Sequence, residues 1–433
     1  MSVTPYIENK TEHLSKPAED ALAVFGAAVS SANPYESTCK ALQNSELGNV
    51  RFVLSIGKAA VPMMQAAYDT IGTENIREAV LVTKYDHLNG FCAPNCTCFE
   101  AGHPLSDENS EKAAQYVLEK TADLQADDLC IVLISGGGSA LFEASLIDKT
   151  YQRQITDILL KSGADIYELN CVRKRLSAVK GGRLAAHFAP AKVLTFALSD
   201  VPGSRPDVIA SGPTQPDPVS DEIFRNIAQK YNLNQNGILD TLPPKAVFEN
   251  QPHFEIVGDV NKLCAVAKQE AEKRGYTVVH LSAGLAGDAE EQTKNIIRSC
   301  LQYKQTHCGK FAFIYGGETT VCVKGNGKGG RSQQAALCAA IELQTAENIV
   351  FLAGGSDGTD GPTDAAGGVV DEKTVARISM NGIHAADSLA DNDAYHALRA
   401  GNALLMTGPT GTNVNDLILI LTESDIHANR NHC

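Results

Sequence analysis

Leu129 to Ile134 is an unbroken apolar run, and it passes through Ser135 directly into Gly136, Gly137, Gly138 and Ser139. This junction constrains the fold more than any other stretch. A strand with no polar face cannot have one side in water, so residues 128–135 read as a central strand of a parallel sheet covered on both faces. The glycines that follow let backbone N–H groups come close to a ligand, and the serines add hydroxyls. The loop is either a cradle for phosphate or carboxylate or a tight turn into a closely packed helix.

The same strand, loop and helix order recurs along the chain. Residues 51–57 (RFVLSIG) read as a buried strand, followed by a helix with Pro62 in its first turn, where proline is tolerated. Lys58 stands at the junction. Its ammonium faces the positive end of the helix dipole, which costs roughly 0.3–1 kcal/mol unless an anion is bound; the alternative is a solvated lysine. Strands follow at residues 79–83 and 97–102, and His103-Pro104 leaves the second of them. A cation-rich helix with Arg173, Lys174, Arg175 and Lys180 precedes a strand at 191–200. That strand ends on Asp200, at the carboxyl tip where α/β sheets take ligands, making Asp200 a candidate base or metal ligand.

After a polar stretch at 232–251, a second α/β series begins with strands at 254–259, 276–282, 311–317, 348–355 and 416–421. With 433 residues, two domains are expected, an N-terminal one at 1–245 and a C-terminal one at 246–433. The net charge of −14 argues against nucleic acid, and it means that an anionic substrate needs a local cluster of cations. No apolar run reaches the length of a membrane span, and the first residues have no apolar signal core, so a cytoplasmic protein is expected. The 12 cysteines read as reduced thiols. Cys92, Cys96 and Cys98 are close enough in sequence to suggest zinc, but no second Cys or His pair stands at finger spacing.

Two later loops carry chemistry. Gly325, Gly327, Gly329 and Gly330, with Lys328 and Arg331 among them, precede an alanine-rich helix starting near Ser332. Phosphate suits such a loop, and Arg331 at a helix N-terminus predicts an anion beside it. Gly325, Gly327 and Gly330 also fit the dinucleotide spacing G-x-G-x-x-G, but the next strand ends in glycines and offers no acid for a ribose diol. Residues 356–368 carry Asp357, Asp360 and Asp364 after a buried strand. These either form a run of Asx-turns or share a Mg²⁺ ion.

In chain order, SGGGSAL (135–141), LSDVPG (198–203), ASGPT (210–214), GGET (316–319), GKGGRSQ (327–333), GGSDGTDGPTDAAGG (354–368) and GPTGTNVNDL (408–417) resemble the class II glycerate kinases. The C-terminal domain of that family is named after an M-O-F-R-L motif. The likeness covers nearly the whole chain; Ser332 stands where the family often has Asn, and the first fifty residues match poorly. The resemblance implies two Rossmann-like α/β domains with mostly parallel sheets facing each other across a cleft. It also implies transfer of the ATP γ-phosphoryl group to D-glycerate, giving 2-phosphoglycerate with Mg²⁺, and places Lys58 and Arg331 in the active site. Asp200 is the first choice of base and Asp357 the second. Ser135, Gly136, Gly137, Gly138, Ser139, Glu318, Lys328, Gly329 and Gly330 are expected to bind substrate or nucleotide, and Asp357, Asp360 and Asp364 the metal. A monomer or homodimer is expected. The runner-up activity is an NAD(P)H-dependent hydroxypyruvate reductase, and a non-catalytic hydroxy-acid sensor is third.

Overall fold

The computed structural model describes residues 3–8, 15–234, 237–248 and 252–424. A two-residue strand, β1 (Tyr6–Ile7), comes first. The chain then divides into two units, Pro34–Val257 and Met1–Asn33 together with Gly258–Cys433.

The unit Pro34–Val257 is built on β2 (Asn49–Ile56), β3 (Glu78–Lys84), β4 (Cys96–Ala101), β5 (Asp128–Ile134), β6 (Lys192–Leu198) and β7 (His253–Gly258), in the order β4-β3-β2-β5-β6-β7. The β2–β3, β2–β5, β3–β4 and β5–β6 pairs are parallel. Side chains alternate between two covered faces. Phe52, Leu54, Ile56, Val132 and Ile134 pack with Ala113 and Val117 of helix Glu108–Lys120. Val53, Ile131 and Leu133 pack with Met63, Met64 and Ala67 of helix Ala60–Ile71. Counted from its own first strand, the sheet has the 3-2-1-4-5-6 order of doubly wound folds, whose order reverses between β2 and β5. Ile56 lies level with Val82 and Ile134, and Ile134 with Ala197. The carboxyl ends of β2, β3, β5 and β6 therefore finish side by side, and the crevice at the reversal is where such a sheet holds its ligand.

The other unit adds β8 (Thr277–Asp288), β9 (Gly309–Thr320), β10 (Ile349–Gly355), β11 (Gly367–Asp371), β12 (Leu404–Met406) and β13 (Asp416–Ser424). Its sheet runs β1-β12-β11-β10-β13-β9-β8. Only β8 and β9 pair in parallel; β1–β12, β10–β11, β10–β13, β11–β12 and β13–β9 are antiparallel. Both domains are α/β as expected, but mostly parallel pairing holds in the first sheet alone. The acidic loop between β10 and β11 has no crossover helix, so it can only reverse the chain, and the short strand GGVVD behind it reads in sequence as the tail of that loop.

The division also differs from the expected boundary at 245/246. β7 does not open the second unit; it belongs to the first sheet, with Val257 packed against the cluster of Phe196 and Val53. The helix Lys16–Ser31 belongs with the later residues. Its buried Asp20 accepts hydrogen bonds from Arg274 Nη1 at 3.0 Å and the Tyr276 hydroxyl at 3.2 Å. Its Phe25 lies against Gly354, where a Cβ would come within 2.9 Å of the ring. No helix among the described residues is long and apolar enough to cross a membrane.

Candidate active site

At the reversal of the parallel sheet, the loops after β2 and β5 are stitched together by backbone. Ser135 N donates to Ile56 O at 2.8 Å, and Lys58 N donates to Gly136 O at 2.9 Å. The buried Ser135 hydroxyl accepts from Ala59 N at 3.0 Å, so it joins the loops rather than reaching for a ligand. Gly57 is required here: its φ is +124°, and a Cβ would sit 2.2 Å from Ser135 Oγ. With the two loops locked, Lys58 emerges exposed at the start of helix Ala60–Ile71, whose first turn has no side-chain cap. Among the described residues its ammonium has no hydrogen-bond or ion-pair partner, and the N–H groups of Gly136, Gly137, Gly138 and Ser139 have no protein acceptor.

Three further groups surround this loop. Asp200 arrives from the end of β6 so close that a Cβ on Gly136 would lie 2.4 Å from its Oδ2. Ala210 and Ser211 hold the left-handed φ values of 50° and 62°; a Cβ on Gly138 would meet Ala210 Cβ at 2.8 Å, and Ser211 Oγ lies 2.9 Å from Ser139 Oγ. Non-glycine residues in that region cost about 1–3 kcal/mol each and survive only where the surroundings impose them. The surroundings do so here through buried charge. Lys174 pairs with Asp207 at 3.2 Å and Asp217 at 3.3 Å, Lys180 pairs with Glu143, and Gly181 N donates to Ser211 O. Lys174 and Lys180 of the cation-rich run are thus spent internally. The third group is His103, which the motifs did not single out. It packs over Gly137, and burial together with Lys58 and Lys84 holds its pKa below the usual histidine value. The only sequence signal for it is its place just past a strand tip.

The glycine-rich segment 325–330 turns out otherwise than expected. The N–H groups from Lys324 to Lys328 are consumed by a neighbouring turn of the same unit. Lys324 N and Gly325 N donate to Asn392 Oδ1, Asn326 N to Asp391 Oδ1, and Lys328 N to Asp393 Oδ1 at 2.9 Å. A Cβ on Gly325 would meet Asp391 at 2.2 Å, and one on Gly327 would meet Asp393 at 2.4 Å. Gly329 lies against Ala394, and the Lys328 ammonium sits 4.4 Å from the centre of the Tyr395 ring. Gly325 and Gly327 allow this close packing, and the Asp391 and Asp393 carboxylates occupy the ground a pyrophosphate would need there.

The anion predicted beside Arg331 is internal. Asp360 accepts from Ser332 N at 3.1 Å and Gln333 N at 2.8 Å, capping helix Arg331–Glu342, and a Cβ on Gly330 would fall 2.3 Å from its carboxylate. Burial pushes the pKa of Asp360 up to about 7 against those two N–H bonds. Arg331 itself donates Nε to Asp416 Oδ2 at 2.6 Å, Nη2 to Asp416 Oδ1 at 3.0 Å and Nη1 to Glu318 Oε1 at 2.5 Å. A guanidinium has five N–H donors, so two remain for a ligand. Glu318, expected to bind substrate, helps aim Arg331.

The three aspartates of the acidic loop do not converge. Asp360 is the helix cap, Asp364 accepts from the Tyr395 hydroxyl at 2.8 Å, and Asp357 Oδ1 accepts from Thr359 N at 3.0 Å in an Asx-turn. Among the described residues no group of three His, Cys, Asp or Glu side chains could hold a metal ion. The residues offered for Mg²⁺ do not make a three-carboxylate cage, because both oxygens of Asp360 cap the helix and Asp357 and Asp364 are each tied to a different partner.

Residues 20–242 match the family described as Domain of unknown function (DUF4147), and residues 311–416 match the MOFRL family. The D-glycerate 2-kinase of Thermotoga maritima is 41% identical over 410 residues, covering 92% of this chain and 97% of the relative. A protein of Agrobacterium vitis, provisionally named a hydroxypyruvate reductase, is 37% identical over 85% of this chain and 98% of its own length. The crystal structure of glycerate kinase from Thermotoga maritima superposes with a TM-score of 0.87 at 41% identity, over 94% of this chain and 99% of that one. From the parallel sheet through the antiparallel hairpins to the motifs at its loops, the chain belongs to the glycerate kinase family with a C-terminal MOFRL domain.

Proposed function

We propose that this protein transfers the γ-phosphoryl group of ATP to the 2-hydroxyl of D-glycerate, giving 2-phosphoglycerate and ADP. One observation carries the reading: a chain 41% identical to a D-glycerate 2-kinase has, at the reversal point of its parallel sheet, a lysine with no partner among the described residues, beside four backbone N–H groups that have none there either. Phosphoryl transfer asks mainly for positioning and for positive charge around the moving group, with little covalent chemistry from the protein. Lys58 and the N–H groups of Gly136, Gly137, Gly138 and Ser139 answer that need. Arg331, aimed by Asp416 and Glu318, keeps two donors for an anion. A cation at a strand tip or helix start, such as Lys58, holds the glycerate carboxylate close, which favours the nearer, secondary hydroxyl. Mg²⁺ would come with ATP and neutralise phosphate charge, since the protein offers few oxygens of its own for it. The cytoplasm supplies that nucleotide.

The reductase reading has no structural support at the loop that suggested it. Segment 325–330 packs on Asp391 and Asp393, and the first strand-to-helix turn of the Rossmann-ordered sheet carries Gly57 and Lys58 in place of a glycine fingerprint. Incubating the protein with ATP, Mg²⁺ and D-glycerate and recording ³¹P and proton spectra tests the assignment. 3-Phosphoglycerate as product would overturn the regiochemistry. NADH oxidation by hydroxypyruvate, with no phosphorylated product, would overturn the kinase.

A further inference from the structure

The ring of His103 lies on the backbone of Gly137, in the middle of the loop that offers its N–H groups. A Cβ on Gly137 would come within 3.0 Å of Cδ2 and 3.2 Å of Nε2, so the edge bearing Nε2 faces the loop. Among the described residues neither ring nitrogen of His103 has a hydrogen-bond partner, whereas His187, His307 and His396 each have one. The charged groups around it come from several elements. Lys58 follows β2 and Lys84 ends β3, and both disfavour a second positive charge on the imidazole. Asp200, from the end of β6, lies against the adjacent Gly136. Asp107, further along His103's own loop, is tied to the Tyr85 hydroxyl at 2.6 Å. The result is an imidazole whose neutral form is favoured by burial and by Lys58 and Lys84, with a nitrogen open beside the loop that offers its N–H groups.

We propose that His103 is a catalytic residue: its Nε2 takes the proton from the 2-hydroxyl of D-glycerate as that oxygen attacks the γ-phosphorus. The inference rests on the kinase reading above and deepens it. The new bond joins the 2-oxygen to the γ-phosphorus, and the bond from that phosphorus to the bridging oxygen of ADP breaks, leaving its electron pair on ADP. The hydroxyl proton moves to His103 and is released to solvent after product leaves. Such a base must start uncharged, and the two neighbouring ammonium groups favour that state.

The test is the pH profile of kcat for the wild type, His103→Gln and Asp200→Asn across the range in which imidazole titrates. It is read together with the NMR titration of the His103 ring, assigned by its disappearance in His103→Gln. Wild-type kcat is expected to fall on the acid side with the midpoint of the ring, below the ordinary 6.5. His103→Gln is expected to lose kcat by about 10²-fold with KM little changed and with no acid limb. Wild-type kcat in His103→Gln, or an acid limb that survives there and vanishes in Asp200→Asn, would overturn the proposal. A wild type that phosphorylates no glycerate would instead overturn the kinase reading, and the ring titration would still report whether His103 is uncharged.

Discussion

Arg331 holds Asp416 with both arms of its fork, Nε on Oδ2 at 2.6 Å and Nη2 on Oδ1 at 3.0 Å, although the two residues are 85 positions apart. Asp416 is buried, and burial raises its pKa against the pull of Arg331, so its charge depends on that one partner. The residue assigned to catalysis from sequence therefore also supports the fold.

Arg331→Ala is expected to lower both activity and stability. Leaving a buried carboxylate without its partner costs about 1–3 kcal/mol. The double variant Arg331→Ala with Asp416→Asn should regain Tm without regaining kcat. A single variant with wild-type Tm would show that the pair contributes nothing to the fold.

Lys58→Ala should behave differently, because its side chain is exposed and has no protein partner among the described residues. Its kcat/KM should fall by about tenfold to a thousandfold, as for loss of a group that stabilises transition-state charge. Its unfolding free energy should stay within about 0.5 kcal/mol of the wild type. Steady-state kinetics and denaturant melts on the same preparation check both halves.

Gly327→Ala tests whether the glycine-rich segment packs or binds. The added methyl would lie 2.4–2.5 Å from the Cβ and backbone of Asp393, so a stability loss of about 1–3 kcal/mol is expected. The KM for ATP in the folded fraction should not change. A raised KM at unchanged stability would restore the segment as a nucleotide loop.

Asp360 gives the stability a pH dependence. Its pKa is raised from 3.8 to about 7 in the folded state, so between those values the folded chain binds more protons than the unfolded one. Stability from this group is complete below the unfolded value and is lost as pH rises through the folded one. Asp360→Asn keeps an acceptor for the helix N-terminus and removes the titration. Denaturant midpoints of wild type and variant should diverge below pH 7, the wild type gaining as pH falls, and parallel curves would refute the raised pKa.

What sequence could convey depended on distance along the chain. The loop after β5 and Lys58 were readable because a strand tip, glycines and a cation lie within a few residues of one another. The role of segment 325–330 was not, since glycines that admit a ligand and glycines that admit a neighbouring backbone look alike until Asp391 and Asp393 are placed some 65 residues on. The same holds for Asp360. Its spacing from Asp357 and Asp364 suggested a metal, and only the fold shows it turned onto the start of helix Arg331–Glu342. His103 belongs to no motif, and its meaning comes from landing on Gly137.

Helix Lys16–Ser31 has a consequence for how the protein is made. Its buried face is completed by Arg274, Tyr276 and Gly354, while Pro34–Val257 closes its own sheet in between. During synthesis the middle of the chain can fold as soon as it leaves the ribosome, but Phe25 must wait for Gly354 to be added. At about 5–20 residues per second that is roughly 15–65 s with an apolar helix face exposed. This helix therefore offers a nascent-chain chaperone a long opportunity, and its docking must come after most of the chain has been made.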